Sequence, residues 1–346
     1  MPTIAADQVQ AIAASALRNA GATDQEVQVV ASHLVAANLA GHDSHGVMRI
    51  IQYAEMIRTG QIIPGARPRI EQDTPVAASL DASHVFGHVV AADAMQQAIN
   101  KARNSSVGIV TVNKSPHNGR LGTFGEMAAA ENMVGLLFLS AGGGGRFVAP
   151  FGGLGRRLST NPMAMGAPSG GDFPILLDIS TCIVPEGKVR HYHQSGKPVP
   201  EGWIMDGDGN LTTDPGKLYE SIGACLQPLG GNLAGHKGYG LSFMVEVLAG
   251  ALSGGGCARD LPDDHEVGHC LLMLAIDVAQ FTTLELFTSQ VSTMVDYIKT
   301  CPPAPGFREV LVPGEFEHRN RQERLAHGIT IPDPVWKDLE ALAAER

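Results

Sequence analysis

The sequence lacks an excess of basic residues. Its 346 residues include 25 Lys and Arg against 35 Asp and Glu, which gives a net charge of −10. Sequence-independent binding to nucleic acid needs a basic face that displaces counterions from phosphates. The sequence has no Lys/Arg cluster of that kind. The charge balance therefore argues against a nucleic-acid partner.

Long apolar runs and a basic N-terminal region are also missing. No stretch approaches the roughly 18 apolar residues of a membrane span. The N-terminal sequence MPTIAADQVQ has no basic segment followed by an apolar one, as a secretory signal would. We therefore expect no membrane partner and a location in the cytoplasm.

Cysteines are few, and the common nucleotide-binding motifs are absent. The five cysteines are an odd number without a C-x-x-C pair, which argues against a disulfide framework and a thiolate zinc site. No G-x-G-x-x-G follows a strand with an acidic residue about 20 positions later. Gly187 and Lys188 are followed by Val189 and not by the Ser or Thr of a P-loop. A conventional nucleotide fingerprint is therefore excluded.

The composition that remains is that of a globular enzyme. Hydrophobic residues make up 44% of the chain and charged residues 17%, which is typical of a chain with a packed core. The length exceeds the roughly 50–250 residues of one domain. Two domains are therefore expected.

Hydrophobic periodicity distinguishes helical segments at the two ends of the chain from a middle part of mixed strands and helices. Residues 7–59 have helical spacing, with a helix stop at Gly21 and a new N-cap at Thr23. The Pro- and Gly-containing residues 60–69 predict a linker and a domain boundary near residue 72. The C-terminal residues 319–346 again have helical spacing.

The middle of the chain predicts short strands without a regular βαβ alternation, and hence an α+β fold with an antiparallel-rich sheet. Residues 240–252 predict a buried helix, because they are apolar nearly all round. Residues 300–307 predict a second linker. The predicted strands are 77–80, 108–113, 135–139, 175–179 and 270–277, with a helix over 91–103.

The densest polar cluster of the helical region is AGHDSHGVMRIIQY, residues 40–53. On a helix, His45 and Arg49 would project from one face, with His42 three residues before His45. An arginine fork can hold a carboxylate in two places, and a histidine titrates near neutral pH. This pattern favours a site for a 2-oxo acid. An ordinary surface cluster and a metal pair of His42 and His45 remain open at this point.

A second cluster, SPHNGRLGTFG, follows the predicted strand 108–113 directly. Its glycines, with His117 and Arg120, favour a cradle for a phosphate or carboxylate, since glycine lets backbone N–H groups approach an anion. A plain turn between strand and helix is the alternative.

Residues 265–269 match the zinc motif H-E-x-x-H, which works only on a helix. Pro262 precedes the motif, Gly268 lies inside it, and a β-like apolar run follows His269. We interpret the segment as the start of a strand and expect no metal.

Taken together, the motifs resemble the malate/L-lactate dehydrogenase family of the second, non-Rossmann kind. That family includes ureidoglycolate and sulfolactate dehydrogenases and Δ1-piperideine-2-carboxylate reductase, and the likeness is greatest to its hydroxycarboxylate dehydrogenase branch. The matching segments are LVAANLAGHDSHG (34–46), HNGRLG (117–122), VAPFGG (148–153), TNPMA (160–164), LLDISTCIVPEGKV (176–189), TTDP (212–215), GHKGYGL (235–241) and PGE (313–315).

The resemblance implies a mainly helical domain of residues 1–72 and 306–346 and an α+β cofactor domain of residues 73–305. It also implies a homodimer that interconverts a 2-oxo acid and a 2-hydroxy acid with NAD or NADP. Two alternatives are an NADPH-dependent reductase of a cyclic imine acid and a nucleotide-binding protein without catalysis. The substrate side chain, the choice between NAD and NADP and the physiological direction are left open.

The resemblance also assigns site residues. His45 would be the acid/base, oriented by Ser44 and Asp178, and Arg49 would hold the substrate carboxylate. His117 is left as a second candidate for the acid/base. The cofactor would lie along His45, His117, Asn118, Gly119, Arg120, Thr160, Asn161, Leu176, Leu177, Asp178, Ile179, Ser180, Lys188, His236, Lys237, Pro313, Gly314 and Glu315.

Overall fold

A computed structural model describes residues 1–220, 223–260 and 268–345. The helices are α1 (Ala6–Asn19), α2 (Asp24–Leu39), α3 (Ile50–Arg58), α4 (Gly87–Ser105), α5 (Gly122–Ala130), α6 (Glu186–Gln194), α7 (Lys217–Glu220), α8 (Gly231–Val245), α9 (Leu284–Lys299), α10 (Glu315–His327) and α11 (Asp333–Ala344). The strands are β1 (Thr3–Ile4), β2 (Arg69–Asp73), β3 (Ala77–Asp81), β4 (Val107–Ser115), β5 (Met133–Ser140), β6 (Met163–Ala167), β7 (Ile175–Ile179), β8 (Ile204–Met205), β9 (Leu211–Thr212), β10 (Cys225–Leu226), β11 (His269–Asp277) and β12 (Ile329–Thr330).

A seven-stranded sheet lies at the centre of the described residues, in the order β2-β3-β4-β11-β5-β6-β7. β3 and β4 pair in parallel, and each other neighbouring pair in this sheet is antiparallel. The expected α+β fold with a mostly antiparallel sheet is therefore confirmed. A smaller sheet, β10-β8-β9, packs in a separate apolar cluster.

The central strand β11 is buried on both sides. Leu271 and Met273 belong to the apolar core formed with α4. Cys270, which points to the opposite face of the sheet, packs with Val245 and Ala249. An apolar run without alternation is what burial on two faces requires.

The N- and C-terminal helices share a second core. Leu17, Leu34, Trp336 and Leu339 are buried in it together, and α1 contacts α11 directly. The predicted N-cap at Thr23 is confirmed: its side chain accepts from the backbone N–H of residue 26, whose carboxylate accepts from the Thr23 N–H at 2.8 Å. The expected helical unit of both termini is confirmed, while its bounds stay a prediction.

Each of the five predicted strands is present, as is the predicted helix 91–103 within α4. The C-terminal helical spacing corresponds to α10 and α11. The predicted boundary near residue 72 falls inside β2, so the sheet already begins at Arg69. Among the described residues, no helix is long and apolar enough to cross a membrane.

The prediction of a helix buried all round over residues 240–252 is wrong. α8 passes into a π-helical segment, Glu246–Ala251, and only one side of it packs on the sheet. Leu241, Phe243 and Met244 are 40%, 53% and 49% exposed. The apolar residues on the outer side therefore face away from the chain's own core.

Candidate active site

The segment that carries His45 and Arg49 was predicted to be one helix, and this prediction is wrong. It consists of two 3-10 turns, Asp43–His45 and Val47–Arg49, joined at Gly46. The side chain of buried Asn38 causes the break: its Oδ1 accepts from the Val47 N–H at 2.9 Å. A Cβ atom on Gly46 would clash with this amide. The chain therefore bends around Asn38.

The C-terminal helix α10 holds this segment from the other side. Asp43 accepts from Arg324 Nη1 at 2.6 Å and from Nη2 at 3.0 Å. His42 Nε2 lies 3.2 Å from Glu317 Oε1. No group of three or more His, Cys, Asp or Glu in the described part of the chain could hold a metal. The contacts of His42 thus favour a structural role over the metal pair.

Ser44, His45 and Arg49 lie together. Ser44 Oγ is 3.1 Å from His45 Nδ1. Arg49 donates from Nε to the Ser44 carbonyl at 2.7 Å and from Nη1 to Gln52 Oε1 at 2.9 Å. Burial, and then the charge of Arg49, lower the pKa of His45 to about 3. At neutral pH His45 is therefore an uncharged base beside a guanidinium.

His117 stacks on His45, with ring centroids 5.6 Å apart and planes inclined by 17°. Its Nδ1 lies 2.7 Å from the Tyr53 hydroxyl. Burial lowers the pKa of His117 well below its usual value, and a protonated His45 would add to this effect. The two candidate acid/base residues are thus neighbours, and both are neutral at neutral pH.

Three further histidines complete a group that we call the histidine cluster. The ring of His88 lies 6.3 Å from that of His117, and the ring of His269 lies 6.0 Å from it. Burial lowers the pKa of His88 to about 3 and that of His269 to about 4. His33 lies edge-on to His88 at 4.7 Å, and its pKa is also well lowered by burial. The cluster is His33, His45, His88, His117 and His269.

Side chains accept hydrogen bonds from three backbone N–H groups at the loop between β4 and α5. The Gly119 N–H donates to His117 Nδ1 at 3.3 Å, and the Arg120 N–H donates to His33 Nε2 at 2.9 Å. The Gly122 N–H donates to Asp178 Oδ2 at 2.7 Å. These three donors are therefore engaged within the chain, and the cradle interpretation stays a prediction.

Arg120 and Asp178 form a buried polar group next to this loop. The Arg120 side chain is 1% exposed, and its Nη1 and Nη2 both donate to Glu126 Oε1 at 3.2 Å. Asp178 Oδ2 lies 3.8 Å from Arg120 Nε. Burial raises the pKa of Asp178, against the charge of Arg120. Asp178 bonds to Gly122, so its expected role in orienting His45 stays a prediction.

The predicted cofactor segments adjoin one another. The Leu176 N–H donates to the Pro313 carbonyl at 3.3 Å, and the Thr181 N–H donates to the Thr160 carbonyl at 3.0 Å. Asn118 Oδ1 lies 3.0 Å from His269 Nδ1. The first two bonds join the segment before β6, strand β7 and the start of α10. The third joins the loop after β4 to β11, and the Gly122–Asp178 bond joins that loop to β7.

Asn161 has an unusual conformation in this region, with φ of +35°. Its Nδ2 donates to Glu246 Oε1 at 2.8 Å and to Ser242 Oγ at 3.0 Å. Its Oδ1 is buried and has no hydrogen-bond partner among the described residues. A buried acceptor without a donor is costly, so this atom fits a ligand donor.

The remaining predicted cofactor residues differ in their contacts and in their exposure. Glu315, the first residue of α10, accepts from the Val312 N–H at 3.1 Å and pairs with Lys299. Lys188, His236 and Lys237 are exposed. Leu177, Ile179 and Ser180 are partly exposed, and Gly314 takes a left-handed φ of +93°.

Sequence reasoning missed Tyr53, His33 and His88, and it weighed His269 only as a zinc ligand. Residues 265–267 of that motif lie outside the described residues, whereas His269 begins β11. A usable signal existed for Tyr53, which follows Arg49 by one helical turn. The buried histidines carry no such signal, because α2, α4 and β11 meet only in the folded chain.

Comparison with known proteins identifies the family. The malate/L-lactate dehydrogenase family model matches residues 4–340. A malate dehydrogenase of Pyrococcus abyssi is 38% identical over 97% of this chain and 93% of its own length. Hydroxycarboxylate dehydrogenase B of Escherichia coli is 36% identical over 92% of this chain and 88% of its own length.

A solved structure agrees with this assignment. The malate dehydrogenase of Entamoeba histolytica superposes with a TM-score of 0.92 at 30% identity and covers 99% of this chain and 97% of that one. The chain therefore belongs to the malate/L-lactate dehydrogenase family, whose members are oxidoreductases that act on 2-hydroxy acids.

Proposed function

We propose that the protein interconverts a small 2-hydroxy acid and the matching 2-oxo acid with NAD or NADP, using His45 as acid/base and Arg49 as the carboxylate clamp. One observation carries the proposal: a neutral, partly exposed histidine lies in the same short turn pair as an arginine that is only partly engaged. The family supports the reaction class.

Arg49 would bind the substrate carboxylate. A planar guanidinium offers two parallel N–H donors to a carboxylate, which a lysine cannot do. Its Nε is engaged by the Ser44 carbonyl, but its Nη1 partner is the exposed Gln52 side chain. A carboxylate would replace Gln52 and use the outer edge of the guanidinium.

His45 would move the proton. In the direction of oxidation, the neutral imidazole accepts the proton of the substrate hydroxyl. Burial is the main cause of the low pKa of His45 and the charge of Arg49 is the second; a bound carboxylate offsets the second. Substrate binding therefore raises the pKa of His45, and the imidazolium can return the proton to the 2-oxo acid in reduction.

The residues present fit a dinucleotide, because the predicted segments adjoin and Asn161 Oδ1 lacks a donor among the described residues. When bound, the cofactor supplies a hydride to C2 of the 2-oxo acid or takes one from the hydroxy acid. Holding residues would come from the loop at His117 to Arg120, from Thr160 and Asn161, and from β7. Pro313, Gly314 and Glu315, with Lys188, His236 and Lys237, would complete the site.

The protein would act as a homodimer. The outer side of α8 and of the following π-helical segment exposes Leu241, Phe243, Met244, Val247 and Leu252. An apolar patch of this kind on a soluble enzyme typically marks an interface. A symmetric contact between two copies would cover it.

Oxidation of NADH and of NADPH, measured in parallel on a panel of 2-oxo acids and one cyclic imine acid, tests the proposal. We expect turnover on one or more 2-oxo acids. Turnover on the imine acid alone would favour the reductase alternative. Binding of NADH or NADPH without any turnover would favour the nucleotide-binding protein without catalysis.

A further inference from the structure

We infer that Tyr53 is a positioning residue that fixes the tautomer of His117, so that His117 keeps a permanent Nε2–H donor beside the acid/base His45. The inference rests on the proposed function only in naming the group that accepts this hydrogen bond, an oxygen of the bound 2-oxo acid. The tautomer itself follows from contacts within the chain.

The Nδ1 atom of His117 faces two groups. The backbone N–H of Gly119 lies 3.3 Å away, and the hydroxyl of Tyr53 lies 2.7 Å away. A backbone N–H can only donate, so Nδ1 must present its lone pair there. A hydroxyl next to that lone pair donates as well. Two donors thus point at one ring nitrogen, which cannot itself carry a proton.

The proton of His117 must then lie on Nε2. A neutral imidazole carries one N–H, and the nitrogen opposite the acceptor holds it. Burial keeps the ring neutral by lowering its pKa. No described residue accepts a hydrogen bond from Nε2, and the ring is partly exposed. The donor is therefore available to a bound molecule.

Tyr53 can hold this arrangement because its own position is fixed. It is 1% exposed, and its ring lies edge-on to Phe86 and to His88, with centroids 6.3 Å and 5.2 Å away. It belongs to α3, which follows Arg49 directly. The helix that begins next to the carboxylate clamp therefore also sets the proton position on His117.

His45 differs from His117 in this respect. Its Nδ1 faces the Ser44 hydroxyl at 3.1 Å, and a hydroxyl can either donate or accept. The His45 tautomer is therefore free to change, which suits a group that gains and loses a proton. The locked His117 suits a donor that keeps its proton while negative charge develops on an oxygen.

An upper limit can be set on the loss of kcat that Tyr53→Phe would cause. Removing one whole donor to a developing oxyanion costs about 10²–10³ in kcat. Tyr53→Phe leaves the donor group in place but leaves the weaker Gly119 contact as the only one that selects the tautomer. We expect kcat to fall by about tenfold, with the KM of the 2-oxo acid changed much less.

The test is to read the tautomer directly in full-length protein labelled with 15N-histidine, using His117→Asn to assign the signals. The wild-type His117 ring should show the Nε2–H form, and Tyr53→Phe should show a mixture of both forms. Tyr192→Phe is the matched control, since the Tyr192 ring lies edge-on to Trp203 and its hydroxyl has no described hydrogen bond.

A wild-type ring with its proton on Nδ1 would overturn the inference, even if Tyr53→Phe failed to fold. A Tyr53→Phe variant with an unchanged tautomer, or with a changed tautomer and wild-type kcat, would also overturn it. The spectra need no turnover. A failed inference is therefore distinguishable from a failed function, which would appear as absent oxidation of NADH or NADPH by the wild type.

Discussion

The segments 40–53 and 240–252 were both predicted as helices, and both depart from α-helical geometry. The first breaks into two 3-10 turns around Asn38, and the second widens into a π-helix at Glu246. In each case a buried polar side chain bonds elsewhere: Asn38 to the Val47 N–H, and Glu246 to the Ala258 N–H at 2.9 Å. A periodic pattern shows which faces are apolar, but not where a polar residue bends the chain.

The two segments differ in what covers them. Contacts within the chain hold the first one, where Arg324 of α10 bonds to Asp43 and His117 stacks on His45. The second leaves Phe243 and Met244 about half exposed. We therefore expect substitutions in the first segment to change chemistry, and substitutions on the second to change assembly.

His45→Asn should have the largest effect. Asparagine keeps the rough size of the side chain but cannot exchange a proton at these pH values. We expect kcat to fall by about 10²–10⁴, while NADH or NADPH affinity changes much less. His327→Asn, on the exposed end of α10, is the matched control. A His45→Asn enzyme with wild-type kcat would remove His45 from the mechanism.

Arg49→Lys should have a smaller effect and should act on binding. A point ammonium cannot reproduce a two-point grip on a carboxylate, so the KM of the 2-oxo acid should rise by about tenfold or more. Arg58→Lys serves as the control, because Arg58 pairs with Glu55 on its own helix and is largely exposed. Unchanged steady-state kinetics for Arg49→Lys would place the carboxylate elsewhere.

The histidine cluster should make the protein sensitive to acid. Unfolded histidines titrate near 6.5, whereas burial lowers the folded pKa to about 3 for His45 and His88 and about 4 for His269. The contribution of these neutral rings to the free energy of unfolding is complete above pH 6.5. It is lost as the pH falls towards 4, because the unfolded chain then binds more protons than the folded one.

Each such histidine contributes a slope of up to about 1.4 kcal/mol per pH unit in that window. Urea unfolding between pH 7.5 and 4.5 measures it. His88→Asn should reduce the slope, and His327→Asn should not. A free energy of unfolding that stays constant from pH 7 to 5 would contradict the neutral buried cluster.

Met244→Asp tests the second segment and should have the smallest effect on chemistry. A charge on the exposed side of α8 should convert a homodimer to a monomer, which sedimentation velocity would show as about half the mass. Leu325→Asp, which is 60% exposed on α10, is the control. A wild type that sediments as a monomer would remove the proposed interface.

The sequence predicted the strands well because their alternation and apolar runs follow from burial on a sheet. The resemblance of its motifs to the malate/L-lactate dehydrogenase family also implied that Ser44, His45, Arg49 and His117 share one site. It could not predict the bond of the Arg120 N–H, because its acceptor, His33, lies on α2. The same holds for Tyr53, whose partner lies on a different element.

The pH dependence of turnover in both directions, measured for the wild type, His45→Asn and His117→Asn, tests the assignment of the acid/base most directly. In the substrate-bound wild type, where the carboxylate offsets the charge of Arg49 and raises the pKa of His45, kcat for reduction should fall as the pH rises and His45 loses its proton, while kcat for oxidation of the hydroxy acid should increase. His45→Asn should lose both trends, and His117→Asn should be slower but keep them. The opposite pattern, with the trends lost in His117→Asn and kept in His45→Asn, would contradict the account.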